Sequence, residues 1–195
     1  MKQSLLKVLF FSFLLPGLAL AHTGVGQTAG FMYGFGHPVS GADHMLAMVA
    51  VGLWAAQIGG RALGVVPATF VGVMILGGVL GISGIAIPFV EQGILISILI
   101  LGVLIAGAFK LPLICSILIV GLFSVFHGHA HGAEMPESLG AASYAIGFAL
   151  ATAMLHLSGI GVGILAQRAN LQAISRLAGA AIASAGLCLA ILKMA

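Results

Sequence analysis

Residues 63–84, LGVVPATFVGVMILGGVLGISG, contain no charged side chain. A helix crosses the ~30 Å hydrocarbon core of a bilayer with ~20 predominantly apolar residues, so this run is long enough to span it. The whole chain has the same character: of 195 residues, 61% are hydrophobic and only 6% are charged. A typical soluble domain has ~25% charged residues, and a water-soluble fold cannot cover this much apolar surface. The composition therefore predicts a membrane protein.

Five further apolar runs have a similar length and few charges. The breaks between the runs contain glycine, proline or charged residues, which end helices. Small residues also recur four apart, as in Gly77/Gly81 and Gly159/Gly163, a spacing typical of closely packed membrane helices. We predict an all-α polytopic membrane protein with six transmembrane helices, over residues 38–59, 63–84, 89–109, 111–127, 138–166 and 172–193.

The first residues have the features of a cleavable signal peptide. Lys2 and Lys7 form a basic segment, an apolar segment follows, and Ala19-Leu20-Ala21 is a small-residue cleavage site. We therefore predict a signal peptide over residues 1–21 and a mature six-helix transmembrane domain over 22–195. An uncleaved first helix is the alternative. Residues 22–36 are rich in glycine, and we expect them to form a short surface or re-entrant segment.

The charges predict the orientation of the six helices. If the signal peptide is removed outside, the mature N-terminus lies outside, and the first, third and fifth connections face the cytoplasm. These connections contain Arg61, Lys110, Arg168 and Arg176, whereas the outward connections contain only acids and Lys193 lies at the outer C-terminal end. This asymmetry satisfies the positive-inside rule.

Several function classes are excluded by what the sequence lacks. It has no basic run and no aromatic residues interleaved with basic ones, so we expect no nucleic-acid partner. Its two cysteines, Cys115 and Cys188, lie in apolar runs and form no CxxC motif. It has no GxxxxGK[ST] phosphate-binding loop, so we expect no nucleotide hydrolysis by this chain.

Two short stretches concentrate the polar chemistry: HPVSGADH at 37–44 and HGHAHGAE at 127–134. They contain five of the seven histidines and two of the four acids. Polar and ionisable residues inside a membrane are costly and usually mark function. Imidazole and carboxylate together suit Ni, Co, Zn or Fe(II). We therefore predict a metal site, although isolated histidines near helix ends are usually interfacial polar residues.

The spacing within the stretches selects the candidate ligands. His37 and His44 are seven apart and would share one face of a single helix, as would His127, His131 and Glu134. Asp43 would either bind the metal or orient a histidine ring. His129 would point away from that face. Glycines at 41, 128 and 132 are positions where the helices can unwind, which would weaken the argument from a shared face.

The predicted topology places both stretches and Glu91 on the outer side of the membrane. The alternative role for Glu91 is to complement the helix dipole at an N-terminus. His156 lies well inside the fifth predicted span, either as a core histidine or as a step on an inward path. We predict that the metal ligands are His37, Asp43, His44, Glu91, His127, His131 and Glu134.

The two stretches in their wider context, HPVSGADHML (37–46) and FHGHAHGAE (126–134), resemble the motifs of the HupE/UreJ family. This family comprises small membrane proteins associated with hydrogenase and urease maturation and regarded as nickel/cobalt permeases. The resemblance covers the whole mature chain. The family patterns match His37, Pro38, Gly41, Asp43 and His44, and Phe126, His127, Gly128, Ala130, His131, Gly132 and Glu134. His129 occupies a variable place in the second pattern.

The resemblance implies a permease rather than an enzyme, with residues 22–195 as the transport domain. It would take up nickel, or cobalt, from the outer side of the bacterial inner (cytoplasmic) membrane, with no prosthetic group. Its partners would be the metal ion, the lipid bilayer and hydrogenase or urease maturation proteins. The rival interpretations are a membrane-embedded metalloenzyme and a metal-holding assembly factor that does not transport. The sequence contains no HExxH motif and no serine nucleophile arrangement, which disfavours the enzyme.

Overall fold

The structure is a computed structural model that describes residues 27–136 and 138–194. The predicted signal peptide and Glu137 lie outside the described residues. The described part of the chain contains seven helices and no strand: α1 (Gln27–Ser40), α2 (Ala42–Ile58), α3 (Ala62–Ile82), α4 (Val90–Ala106), α5 (Leu113–Ala133), α6 (Ala141–Arg168) and α7 (Gln172–Met194).

Four of these helices, α3, α5, α6 and α7, are each long and apolar enough to cross a membrane. The pair α1 and α2 meets the same criteria only when taken together, with a bend of 83° between the two helices, as in a broken span or a re-entrant loop. α4 is apolar but has only 17 residues, a length of ~26 Å at 1.5 Å per residue. The prediction of a multi-pass helical protein is thus confirmed, whereas the number of six spans stays a prediction.

The predicted first span, 38–59, is wrong at its start. Helix α1 already begins at Gln27, in the segment expected to lie on the surface or to be re-entrant. The chain then breaks at Gly41, whose extended backbone (φ −103°, ψ 120°) cannot continue a helix. His37 and His44 therefore belong to two helices, and the prediction that they share one helix face is also wrong.

The predicted fourth span, 111–127, ends too early. Helix α5 continues to Ala133, because Gly128 and Gly132 do not unwind it. Instead, these glycines allow α5 to pack against α3. A Cβ at Gly128 would overlap the carbonyl oxygen of Met74, and one at Gly132 would overlap that of Gly78. In lipid, such close backbone contacts are a main source of helix association.

The predicted small-residue pairs also pack helix against helix. Gly77 and Gly81 of α3 lie against the backbone of α5, and Gly159 of α6 lies against the Val49 carbonyl of α2. The most extensive contacts join α3 with α5, α4 with α7, and α6 with both α1 and α2. α2 is the most enclosed of the described helices, and all of its residues from Ala47 to Gln57 are buried.

The two ends of this bundle differ in the residues that they carry. We call one the histidine end, where α2, α4 and α6 start and α3, α5 and α7 finish; it contains both histidine stretches, Glu91 and Lys193. We call the other the basic end, which contains Arg61, Lys110, Arg168 and Arg176. The expectation that both stretches and Glu91 lie at the same end is met, since His37 contacts Glu134 and Lys193 contacts both Asp43 and Glu91.

Candidate metal centre

Three buried histidines form the centre of the histidine end. His44 lies in the first turn of α2, and His127 and His131 lie one turn apart on α5, so the rings of His127 and His131 share one face of α5. The ring centroid of His44 is 4.0 Å from that of His131 and 4.9 Å from that of His127. The exposed fractions are 9%, 0% and 4% for His44, His127 and His131. Buried imidazoles so close together are typical of metal sites.

The partner of His44 determines which of its ring nitrogens is free. Its Nδ1 lies 3.0 Å from Oδ1 of Asp43, and its backbone N–H donates to the same oxygen at 2.9 Å. Because a carboxylate accepts, Nδ1 carries the proton and Nε2 has the lone pair. That Nε2 is buried and has no hydrogen-bond partner among the described residues. Asp43 thus orients the ring, which is one of the two roles predicted for it.

His127 is oriented by a different residue, Ser97 of α4. The Ser97 hydroxyl donates to the carbonyl of Ile94 at 2.6 Å, so its oxygen must accept from Nε2 of His127 at 3.0 Å. The lone pair of His127 is therefore on Nδ1, which is buried without a partner within the described chain. Ser97 could not be predicted from the sequence, because a serine inside an apolar run (GILISILIL) does not differ from other serines of membrane helices.

His131 has no hydrogen-bond partner on either ring nitrogen within the described residues. Leaving a buried polar atom unpaired costs ~1–3 kcal/mol, so three adjacent imidazoles with free lone pairs are an expensive arrangement. A divalent cation would satisfy such a lone pair, and of these three rings His131 belongs to a described group whose ligand atoms lie within 4.8 Å of one another. The orientation of the His44 and His127 rings by Asp43 and Ser97 is the arrangement by which metal-binding histidines are usually held.

His37 and Glu134 lie next to this cluster and closer to the surface. The His37 ring is 4.7 Å from that of His131, and its Nε2 is 3.3 Å from Oε2 of Glu134. One ligand atom from each of His37, His131 and Glu134 lies within 4.8 Å of the other two. The Glu134 side chain is 56% exposed. The bend at Gly41 therefore brings both His37 and His44 against His131, from two different helices.

Glu91, the remaining predicted ligand, is paired with a cation. Nζ of Lys193 lies 2.5 Å from Oε2 of Glu91 and 3.3 Å from Oδ2 of Asp43. Glu91 is also in the first turn of α4, where its charge complements the helix dipole. In the sequence, Lys193 contributes only to the predicted orientation. Its position between two carboxylates could not be predicted, because it depends on how α7 packs against the other helices.

The off-face position predicted for His129 is confirmed. Its Nε2 donates to the backbone carbonyl of Ile85, after the end of α3, at 2.7 Å. His129 therefore contacts the α3–α4 connection, on another side of α5 from His127 and His131.

A fourth buried histidine, His156, lies deeper in the bundle. Its Nδ1 donates to the carbonyl of Met48 at 2.7 Å, as in a core histidine, while its Nε2 has no partner in the described chain, as in a ligand. Both interpretations of His156 therefore remain. The ring of Phe70 contacts both His127 and His156, with centroid distances of 5.5 Å and 5.0 Å. Phe70 could not be predicted as a contact of these histidines, because it is one of many apolar residues in 63–84.

Comparison with known proteins identifies the family to which the chain belongs. The sequence profile of the family described as HupE / UreJ protein matches residues 9–189. The chain is similar to Protein HupE of Rhizobium leguminosarum bv. viciae, with 45% identity over 186 residues, or 95% of this chain and 97% of that protein. No solved structure matches the chain at a significant level. The chain belongs to the HupE/UreJ family.

Proposed function

We propose that this protein is a membrane permease that takes up Ni²⁺, and the chemically similar Co²⁺, to supply hydrogenase or urease maturation. The observation that carries the proposal is the cluster of His44, His127 and His131, with free lone pairs on buried rings. A metal ion that binds there must exchange water for imidazole nitrogen, which suits late first-row divalent metals. Cys115 and Cys188 are not part of the cluster, so no thiolate biases it towards Cu(I).

The residues are arranged in depth, which favours transport over a surface site. A hydrated cation would first meet the exposed carboxylate of Glu134 and the partly exposed His37. The His131 ring contacts the ring of His37, which is closer to the surface, and the ring of His44, which is buried. The ion could therefore move from outer to buried ligands while it keeps at least one ligand. His156 would be the next nitrogen ligand along an inward path.

The driving force need not come from a nucleotide. Moving one charge through a potential of 100 mV is worth ~2.3 kcal/mol, so a dication gains ~4.6 kcal/mol, or roughly 10³-fold accumulation. Uptake in this direction requires the histidine end to face outward in the bacterial inner membrane, with the mature N-terminus outside. The family's association with hydrogenase and urease supports the proposed destination of the metal.

The same cluster also suits a protein that holds metal without moving it, because buried imidazoles are common ligands of bound metal ions. The two functions differ in flux. We would reconstitute the purified chain alone into sealed vesicles, impose an inside-negative potential and measure initial uptake of radioactive nickel. A permease gives uptake that scales with the potential, and the His131→Ala variant loses it whereas His129→Ala retains it. Saturable nickel binding, with no more nickel flux than in vesicles that lack the protein, would contradict the proposal. It would favour a protein that binds metal without transporting it.

A further inference from the structure

A cavity of about 240 Å³ opens at the basic end, far from the histidines. Polar side chains line it from the ends of α2 and α6, the α4–α5 connection and the first turn of α7, among them Gln57, Lys110, Ser175 and Arg176. A water occupies ~30 Å³ of liquid volume, so the cavity has room for a small polyatomic ion. None of its lining residues belongs to the metal centre.

The charged side chains that line this cavity are both basic, and no described carboxylate pairs with them. The acids of the described chain are Asp43, Glu91 and Glu134, which all lie at the histidine end, and none forms an ion pair with Lys110 or Arg176. Arg176 uses Nε to donate to the carbonyl of Ala106 at 2.9 Å, which leaves its terminal nitrogens available. The N-terminal turn of α7 adds backbone N–H groups and the positive end of a helix dipole. These features together favour an anion.

Two buried polar atoms in the cavity wall lack partners. Ser175 is 3% exposed, and its Oγ forms no hydrogen bond with any described residue. Gln57 is 9% exposed, and its Nε2 donates to the carbonyl of Ile105 at 3.1 Å. That bond determines the orientation of the amide, so the atom left without a described partner is the acceptor Oε1. Buried polar groups are rarely left unpaired, which points to a ligand.

The donors and acceptors in the wall define the anion. Lys110 and Arg176 can only donate, the Ser175 hydroxyl can donate or accept, and Oε1 of Gln57 can only accept. A carboxylate or sulfate offers acceptors alone and would leave Gln57 unpaired. Hydrogen phosphate has anionic oxygens for the three donors and one P–O–H group for Gln57. We propose that this cavity is a binding site for hydrogen phosphate, either as the free inorganic ion or as the singly ionised headgroup of phosphatidic acid.

Titration calorimetry on the full chain in phosphatidylcholine nanodiscs tests the proposal. Inorganic phosphate and sulfate would be titrated separately, near neutral pH and at equal ionic strength. We expect sulfate to bind at least ~10-fold more weakly than phosphate, because it cannot donate to Gln57. Equal binding of the two anions would overturn the donor–acceptor argument, and this comparison needs no variant.

Variants then locate the site. Lys110→Ala and Ser175→Ala should each weaken phosphate binding by about 10-fold, the effect of losing one hydrogen bond to a charged group. Arg61→Ala removes a charge from the same end without lining the cavity, and Ser116→Ala removes another buried serine hydroxyl at that end. These controls should change affinity less than ~2-fold. Wild-type affinity in both cavity variants would overturn the assignment.

Adding phosphatidic acid to the nanodiscs distinguishes the lipid headgroup from the free inorganic ion as the ligand of the cavity. If the lipid occupies the cavity, native mass spectrometry should detect its retention by the wild type and its loss from Lys110→Ala, and inorganic phosphate should bind more weakly. If the free ion is the ligand, its affinity should not change when phosphatidic acid is present. Binding of neither form would overturn the proposal.

Discussion

The histidine end and the basic end use ionisable residues in opposite ways. At the histidine end, Asp43 and Glu91 share one ammonium group, that of Lys193, and each described acid of the chain contacts a histidine or lysine. At the basic end, Lys110 and Arg176 line a cavity and have no described carboxylate partner. The charges at the histidine end therefore favour the cation of the proposed function, whereas those at the basic end favour an anion.

The first prediction tests which end faces which side of the membrane, and its outcome is all-or-none. In a chain with Cys115 and Cys188 replaced by alanine, a cysteine introduced at Gly60 should be labelled only from the cytoplasm. One at Ser138 should be labelled only from outside, because the positive-inside rule places the basic end in the cytoplasm. A membrane-impermeant maleimide on intact cells and on inverted vesicles makes the measurement. Cytoplasmic labelling of Ser138 would reverse the orientation and the proposed direction of uptake.

The second prediction concerns the ligands themselves. Replacing His131 with alanine should weaken nickel affinity by more than ~100-fold, beyond the 10–100-fold typical of residues that only support a ligand. Alanine at His37, Asp43, His44 or Glu134 should also abolish uptake. Calorimetry and vesicle uptake at equal protein levels measure the effect.

His129→Ala is the matched control, because His129 lies on the same helix but bonds to the carbonyl of Ile85. It should keep nickel affinity within a few-fold of the wild type. Wild-type uptake in two or more of the ligand variants would show that the cluster is not the metal site.

The third prediction concerns the residue that sequence analysis missed at this end. Ser97→Ala removes the acceptor that holds His127 with its proton on Nε2. Nickel affinity should fall by about 10-fold, the lower limit for loss of such a partner. Ser124→Ala is the control, because Ser124 is an equally buried serine whose hydroxyl donates only to the carbonyl of Gly121. Equal effects of the two variants would mean that Ser97 has no orienting role.

Much of the fold follows from the sequence because hydropathy alone decides where a membrane helix lies. The apolar runs beginning near 63, 138 and 172 correspond to α3, α6 and α7. The sequence indicates Gly41, Gly128 and Gly132 alike as positions where a helix can unwind, but only Gly41 lies at a break, since glycine is also common in unbroken membrane helices. Whether it breaks the helix depends on α1 packing against α6, which is a tertiary contact.

The site could be predicted only where residue type alone carries the signal. Histidines and acids in a bilayer are rare, so His44, His127 and His131 stand out by their residue type in an apolar chain. Ser97 and Phe70 do not stand out, because serine and phenylalanine are ordinary residues of membrane helices. Their contacts with His127 arise from packing of α3 and α4 on α5, which no local pattern encodes.

The fourth prediction has the smallest expected effect on nickel affinity. It compares the two ends directly by replacing one lysine at each. Lys193 places its ammonium between Asp43 and Glu91, so an arriving cation must displace it to reach either carboxylate. Lys193→Met keeps the length and apolar stem of the side chain but removes the charge. We expect tighter apparent nickel affinity, by about 2- to 5-fold, since partly exposed ion pairs contribute at most ~1 kcal/mol.

Lys110→Met removes the same charge from the basic end. No described carboxylate lies there to bind the metal, so this variant should leave apparent nickel affinity unchanged. Initial uptake measured against nickel concentration, at a clamped potential, separates the two variants. Weaker affinity in Lys193→Met would mean that the ammonium positions Asp43 for its hydrogen bond to His44 and does not compete with the metal. Equal changes in both variants would mean that net charge alone governs the affinity, and the distinction between the two ends would then have no bearing on cation binding.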